Sequence, residues 1–284
     1  MAQNHNRPIV GVDDLAEGDH QVLGFCAVSI DRGQLAKLDA TAKPVFHKYR
    51  ISEFHGNEFS ANLEQAYNDF LAALAIAILD SHDGRALVRF QSSNKFRENL
   101  SFGENYFQRT LLPMLGNSKQ SLRNALGKCS GWLTLLVHNW TDIAPGAVMV
   151  DIEMDSDESK RRLKDVGMLG STPKSGEEIM SIWHNALRDV FVQKGMSVPR
   201  LRQFTIADSK TSLIAQAADV LGNFVLSDLR SMLGYTPRSA ERKIALLRNH
   251  FGPSTVNNIS GWTCENGKLR PGASATDFVL RVSS

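Results

Sequence analysis

The sequence predicts an α/β protein in which a sheet is flanked by helices. Three observations predict it. An apolar, β-branched run at Phe204-Thr205-Ile206 ends in Asp208, a Ser-Lys-Thr-Ser cluster follows, and a helical pattern carrying Asp219 then begins. That order reads as strand, turn and helix. A second apolar run, Pro8-Ile9-Val10-Gly11-Val12, also ends in acids, Asp13 and Asp14. Further runs of strand length, at His20 to Ile30, Arg85 to Gln91 and Ala147 to Met154, are separated by segments with helical spacing. Acids at strand ends beside an acidic helix suit magnesium or manganese. Hard cations take oxygen ligands, and like-charged carboxylates crowd together only when a cation neutralises them.

Residues 8–14 read as a buried strand, and Asp14 to His20, with Gly18, as a turn. His20 to Ile30 is apolar at most positions and reads as a central strand, hairpinned to the first. Leu35, Leu38, Ala42 and Phe46 then take helical spacing, and Pro44 predicts a short or kinked helix. Tyr49 to Phe59 reads as a short strand and loop dense in polar groups, and Ser60 as the cap of a helix lasting to about Leu79. After the strand at Arg85 to Gln91, residues 92–103 are polar and basic and predict a surface loop. Helices are expected at about 104–114 and 119–138, and a strand at Ala147 to Met154. Residues 165–177, rich in Gly, Ser, Pro and Thr, predict a mobile loop or lid. Glu177 to Lys194 is an amphipathic helix closed by Gly195. The helix carrying Asp219 runs to about Leu233, and another spans Arg238 to His250. A Gly-, Asn- and Ser-rich end closes with a strand at Phe278 to Val282. The organisation is one domain over 1–234, with an extension over 235–284 packed on it.

Composition sets the bounds. The chain has 284 residues, 42% hydrophobic and 22% charged, and a net charge of +2. It is long enough for a sizeable core, and its charge leaves nucleic-acid binding open without demanding it. Cys26, Cys129 and Cys264 are far apart and show no CxxC spacing, so reduced thiols and a cytoplasmic location are expected. The polar N-terminus MAQNHNRP and the lack of a run near 20 apolar residues predict neither a signal peptide nor a membrane span. No P-loop, GxSxG, HExxH or GxGxxG is present.

Four short pieces together resemble a known family. They are VDD at Val12-Asp13-Asp14, EFHG at Glu53 to Gly56, ADSK at Ala207 to Lys210 and QAAD at Gln216 to Asp219. With the strand AVMVDIE and its Asp151, they resemble the domain-of-unknown-function family numbered 3800, over roughly residues 8–233. The pattern departs from the family at the opening, where Asp13-Asp14 is followed by Leu15 rather than a small residue and Gly. The resemblance implies a ribonuclease H-like mixed sheet flanked by helices. It also implies a nuclease that uses Mg2+ or Mn2+ to hydrolyse phosphodiester bonds in RNA or DNA. In such enzymes two ions about 4 Å apart activate water and stabilise the leaving oxygen.

The resemblance makes Asp13 the ligand shared between the ions and Asp208 and Asp219 further ligands, with Asp14 and Asp151 as additional metal candidates. Glu53 and His55 join Asp13, Asp208 and Asp219 as catalytic candidates, His55 orienting water or contacting phosphate. Each has a plainer reading. Asp13 could be a turn residue, Asp208 an N-cap for its helix, Asp219 one half of a buried pair, and His55 a structural histidine. Glu153 and Asp155 share the strand face of Asp151 by alternation, and any of the three could simply face solvent. Lys210, Lys95 and Arg97 are candidates for nucleic-acid contact, and Arg238, Arg242, Lys243 and Arg248 form a second basic run. Such runs are usually solvated faces. The alternative function is a catalytically inactive nuclease-fold subunit that binds or scaffolds, as in a bacterial antiviral defence or toxin system. A strand transferase or nucleotidase is a further rival. A protein partner or homo-oligomer stays open.

Overall fold

The computed structural model describes residues 7–16, 22–157, 160–208, 210–252, 259–272, 275 and 278–283, the last six as backbone. Most of the expected turn after Asp14, Ser209 of the ADSK piece and part of the Gly- and Asn-rich end lie outside the described residues.

The strands are β1 (Pro8–Ala16), β2 (Val22–Asp31), β3 (Arg85–Ser92), β4 (Met149–Asp155), β5 (Val166–Leu169), β6 (Thr172–Ser175), β7 (Arg200–Ala207), β8 (Trp262–Glu265), β9 (Lys268–Pro271) and β10 (Phe278–Ser283). The helices are α1 (Arg32–Tyr49), α2 (Glu64–Leu79), α3 (Ser93–Thr110), α4 (Gln120–His138), α5 (Trp140–Ile143), α6 (Gly176–Gln193), α7 (Leu213–Met232) and α8 (Arg238–Phe251). Six strands form one mixed sheet in the order β10-β3-β2-β1-β4-β7. β2 runs antiparallel to β1 and β3, whereas β4 is parallel to both β1 and β7.

Side-chain alternation along the central strands divides the core. On β1, Ile9 and Leu15 face one layer and Val10 and Val12 the other. The first layer packs on α1, α2, α7 and α8, and the second on α3, α4 and α6. Strands buried on both faces must read as near-continuous apolar runs, as β1 and β2 do. α7 lies unusually close to β1: a Cβ on Gly11 would fall 2.2 Å from the Ile214 carbonyl oxygen.

β7 is an edge strand, and α6 covers its outer backbone with polar side chains one helical turn apart. Glu177 Oε1 accepts from Ile206 N–H at 2.8 Å and Ser181 Oγ from Phe204 N–H at 3.2 Å. Asn185 exchanges two bonds with the Leu201 backbone, at 2.8 and 2.9 Å. An edge satisfied in this way is closed to pairing with another chain.

Several elements differ from the sequence expectation. α1 is not short: it runs 18 residues through Pro44, which forfeits one backbone bond, while Leu38, Ala42 and Val45 keep the helix buried on both sides of it. Residues 92–103 are not a loop but the first half of α3, capped by the Ser92 hydroxyl and buried through Phe96, Gly103 and Phe107. Residues 166–175 form the hairpin β5–β6, turned at Gly170 with φ +61°, in place of an irregular loop. Ser60 precedes a short 3-10 turn at Ala61–Leu63, and α2 starts only at Glu64. The C-terminal part contributes a second hairpin, β8–β9, and β10 pairs with β3.

Candidate functional site

The sheet register brings the first acids together. Val12 of β1 pairs with Met154 of parallel β4, so Asp13 and Asp155 emerge side by side where the two strands end. Both are on the α7 side of the sheet, because their neighbours Val12 and Met154 face the other layer. α7, pressed on β1, adds Asp219 from the same side. Burial pushes the Asp13 carboxyl well above the usual range, and the charges of Asp219, Asp14 and Asp155 push it further, against Lys160. These causes are burial and charge alone; among the described residues no hydrogen bond holds this carboxylate, which is only 8% exposed. Asp155 is also raised, first by burial and then by Asp14 and Asp219, while the Ser156 backbone and Lys160 oppose the shift.

The EFHG segment docks on α7 and completes the site. Gln216 Oε1 accepts from Phe54 N–H at 3.0 Å, and Phe54 itself is fully buried among Phe46, Tyr67 and Phe70. Gly56 N–H donates to Asp219 Oδ2 at 3.1 Å, and a Cβ at Gly56 would lie 2.3 Å from the Asn223 Cβ, so only glycine permits this approach. His55 Nδ1 is 3.0 Å from Asp219 Oδ2, and its Nε2 is 3.2 Å from Glu53 Oε1. Both ring nitrogens therefore face carboxylates, which favours the imidazolium. Burial lowers the His55 pKa, but the Asp219 hydrogen bond and the charges of Glu53, Asp219 and Glu58 outweigh it, so the net shift is upward. Asn223 Nδ2 donates to Asp219 Oδ1 at 2.5 Å, and the Tyr67 hydroxyl donates to the His55 carbonyl at 2.6 Å. From α8, Lys243 Nζ donates to the Gly56 carbonyl at 2.6 Å; burial and the charge of Arg230 lower its pKa against the pull of Asp219.

The structure thus brings together Asp13, Asp14, Glu53, His55 and Asp219 of the sequence candidates. It leaves Asp151 apart. Asp151 shares the face of Asp155 but lies four residues back, roughly 13 Å along the strand. There it is clasped by Arg32 Nη2 at 2.5 Å and Arg202 Nε at 2.7 Å. Arg202 reaches it from an extra residue in β7, opposite the junction of Val150 and Asp151. Asp208 is exposed; its Oδ1 accepts from Lys210 N–H at 3.1 Å and its carbonyl from Thr211 and Ser212, so it shapes the turn before α7. The N-cap of α7 is Ser212, which also donates to Glu153 at 2.7 Å. Lys210, Lys95 and Arg97 are exposed. Through the pairing of Val22 with Ser92, the start of α3 with Lys95 and Arg97 lies at the same end of the sheet as Asp13. In the second basic run, Arg248 is paired with the buried Asp228 and Arg242 with Glu64.

Carboxylate oxygen is the donor that hard divalent cations take, and a buried Asp13 with no hydrogen bond among the described residues is suited to one. As the side chains stand, no three His, Cys, Asp or Glu groups among the described residues are gathered as ligands of one ion. Asp219 is turned toward His55, Gly56 and Asn223, and Asp14 toward Lys160. Asp155, Lys160 and Asn223 are site residues that the motif reading did not select. Alternation placed Asp155 on the right face, but Lys160 sits in the charged run at residues 155–164, where nothing in the sequence separates it from its neighbours.

Compared with protein-family models, curated proteins and solved structures, the chain matches none.

Proposed function

We propose that this chain is a metal-dependent nuclease of ribonuclease H-like fold, hydrolysing phosphodiester bonds of RNA or DNA with Mg2+ or Mn2+. The observation that carries the reading is the meeting of Asp13, Asp155 and Asp219 at one end of the sheet, with Asp13 buried and without a hydrogen bond among the described residues. The fold part is supported by the sheet: β3, β2 and β1 are antiparallel neighbours, with α1 and α2 inserted between β2 and β3, and β4 and β7 run parallel to β1, with acids on the first strand and on the helix after β7.

A divalent ion there would polarise the phosphate and lower the pKa of a bound water. Asp13, Asp155 and Asp219 are the residues that would hold it. His55 fixes the orientation of Asp219 and ties it to Glu53. Lys95, Arg97 and Lys210, exposed at the same end of the sheet, would meet backbone phosphates.

One observation favours the second reading, a catalytically silent binding subunit: Asp219 and Asp14 already have internal partners, and among the described residues no three ligands are gathered. Cleavage of labelled single-stranded, duplex and hybrid oligonucleotides with Mg2+ or Mn2+ decides between them. The nuclease reading expects Asp13→Asn and Asp219→Asn to stay folded and lose most cleavage. Folded variants with full activity would place the chemistry elsewhere, and a wild type that cleaves nothing would favour the binding subunit.

A further inference from the structure

Lys160 occupies the acidic site as a built-in cation. Its side chain is 4% exposed, and its ammonium lies 2.8 Å from Asp14 Oδ1 and 3.6 Å from Asp157 Oδ2. It also donates to the Asp155 carbonyl at 3.1 Å and stands 5.8 Å from the centre of the Trp132 ring. A buried ammonium is costly unless it is paired and hydrogen-bonded, and this one is both. The chain segment after β4 folds back to deliver it, with Lys160 N–H donating to Asp157 Oδ1 at 2.7 Å. The acids are therefore compensated on two flanks, by Lys160 at Asp14 and by His55 at Asp219 and Glu53. Asp13 lies between the flanks with neither partner.

We propose that the site takes a single divalent cation, at Asp13 with Asp155 and Asp219, and that the Lys160 ammonium, through Asp14, stands in place of a second. The inference rests on reading the site as a metal centre and alters its stoichiometry. A second ion about 4 Å from the first would have to share Asp14 with the ammonium. Repulsion between cations in a partly buried site is poorly screened. Asp14 then serves Lys160 and is not a metal ligand.

The test is titration of the full chain with Mn2+, counting bound ions from the electron paramagnetic resonance signal of free Mn2+. Wild type is expected to bind one ion. Lys160→Met keeps the apolar stem against Trp132 and removes the charge; it is expected to admit a second ion or to bind the first at least about tenfold tighter. Should that variant fail to fold, the pair exchange Asp14→Asn with Lys160→Met decides. It replaces both partners of the ion pair together and leaves net charge unchanged, so the first ion should bind with near wild-type affinity. Two ions in wild type, unchanged binding in a folded Lys160→Met, or loss of the ion in the pair exchange would overturn the inference while leaving a metal site standing. A wild type that binds no Mn2+ at millimolar concentration would remove the metal reading itself, and this inference with it.

Discussion

Gly11→Ala tests whether the packing of α7 on β1 sets the site. The added Cβ would stand 2.2 Å from the Ile214 carbonyl oxygen and 2.5 Å from its carbon, where ordinary contact begins at 3.4 Å. The obstacle is helix backbone and cannot rotate aside, so α7 must retreat from the sheet by roughly 1 Å. Ile214, Ala217, Ala218 and Leu221 are fully buried in the same layer, and all would lose contact. Overpacking of this kind costs about 3 kcal/mol, or roughly 6–12 °C in melting temperature for a domain of this size. Asp219 moves with the helix, so Mn2+ binding should weaken as well. Gly127→Ala in α4 is the control: a Cβ there meets nothing within 4 Å, and alanine in mid-helix should raise stability by about 0.5–1 kcal/mol. Urea unfolding of both variants, read by circular dichroism, gives the free energies. A Gly11→Ala protein as stable as wild type would refute the claim that close packing here requires glycine.

Two further outcomes are expected. His184 is fully buried, and burial together with the charge of Arg188 lowers its pKa from 6.5 to about 4 against the pull of Asn185. The unfolded chain binds this proton first, so about 3 kcal/mol of stability is present above pH 6.5 and is lost as pH falls toward 4; urea midpoints across that range should fall less steeply in His184→Leu. Arg248 Nη2 holds Asp228, which is fully buried, at 2.6 Å. Arg248→Met strips that carboxylate of its guanidinium and should cost about 3 kcal/mol, part of which Asp228→Asn restores in the double variant, as denaturant titration would show.

Asp13 and Asp219 were legible in the sequence because each follows from a local pattern, an apolar run ending in acid and a strand-turn-helix. Asp155 was not, because alternation gives a residue's face but not the register between β1 and β4. Only the pairing of Val12 with Met154 distinguishes Asp155 from Asp151. Asp151 looked equally suited until Arg32 and Arg202, remote in sequence, were seen to close on it. α3 was hidden by composition: its buried stripe of Phe96, Gly103 and Phe107 is narrow, and the polar residues between read as loop. Gly56 and Gly11 carry no signal of their own. What makes each obligatory is a neighbour on α7, some 160 to 200 residues away in the chain.

The pattern of partners explains where strain gathers. Of the five acids at the site, Glu53 and Asp219 share His55, and Asp14 has Lys160. The remaining two, Asp13 and Asp155, sit on adjacent parallel strands, and both are held above the usual carboxylate range. A carboxyl raised in the folded state destabilises the fold at neutral pH, because the unfolded chain ionises it more readily. Neutral residues at these positions would relieve that cost without disturbing the hydrogen bonds of His55, Asn223 or Lys160. The acids are thus positioned against stability by a frame that is otherwise well satisfied, the balance expected where charge serves function. The compensation provided by Lys160 and His55 also limits the remaining demand. On the metal reading proposed above, that leaves room for one cation between β1 and β4, within reach of α7.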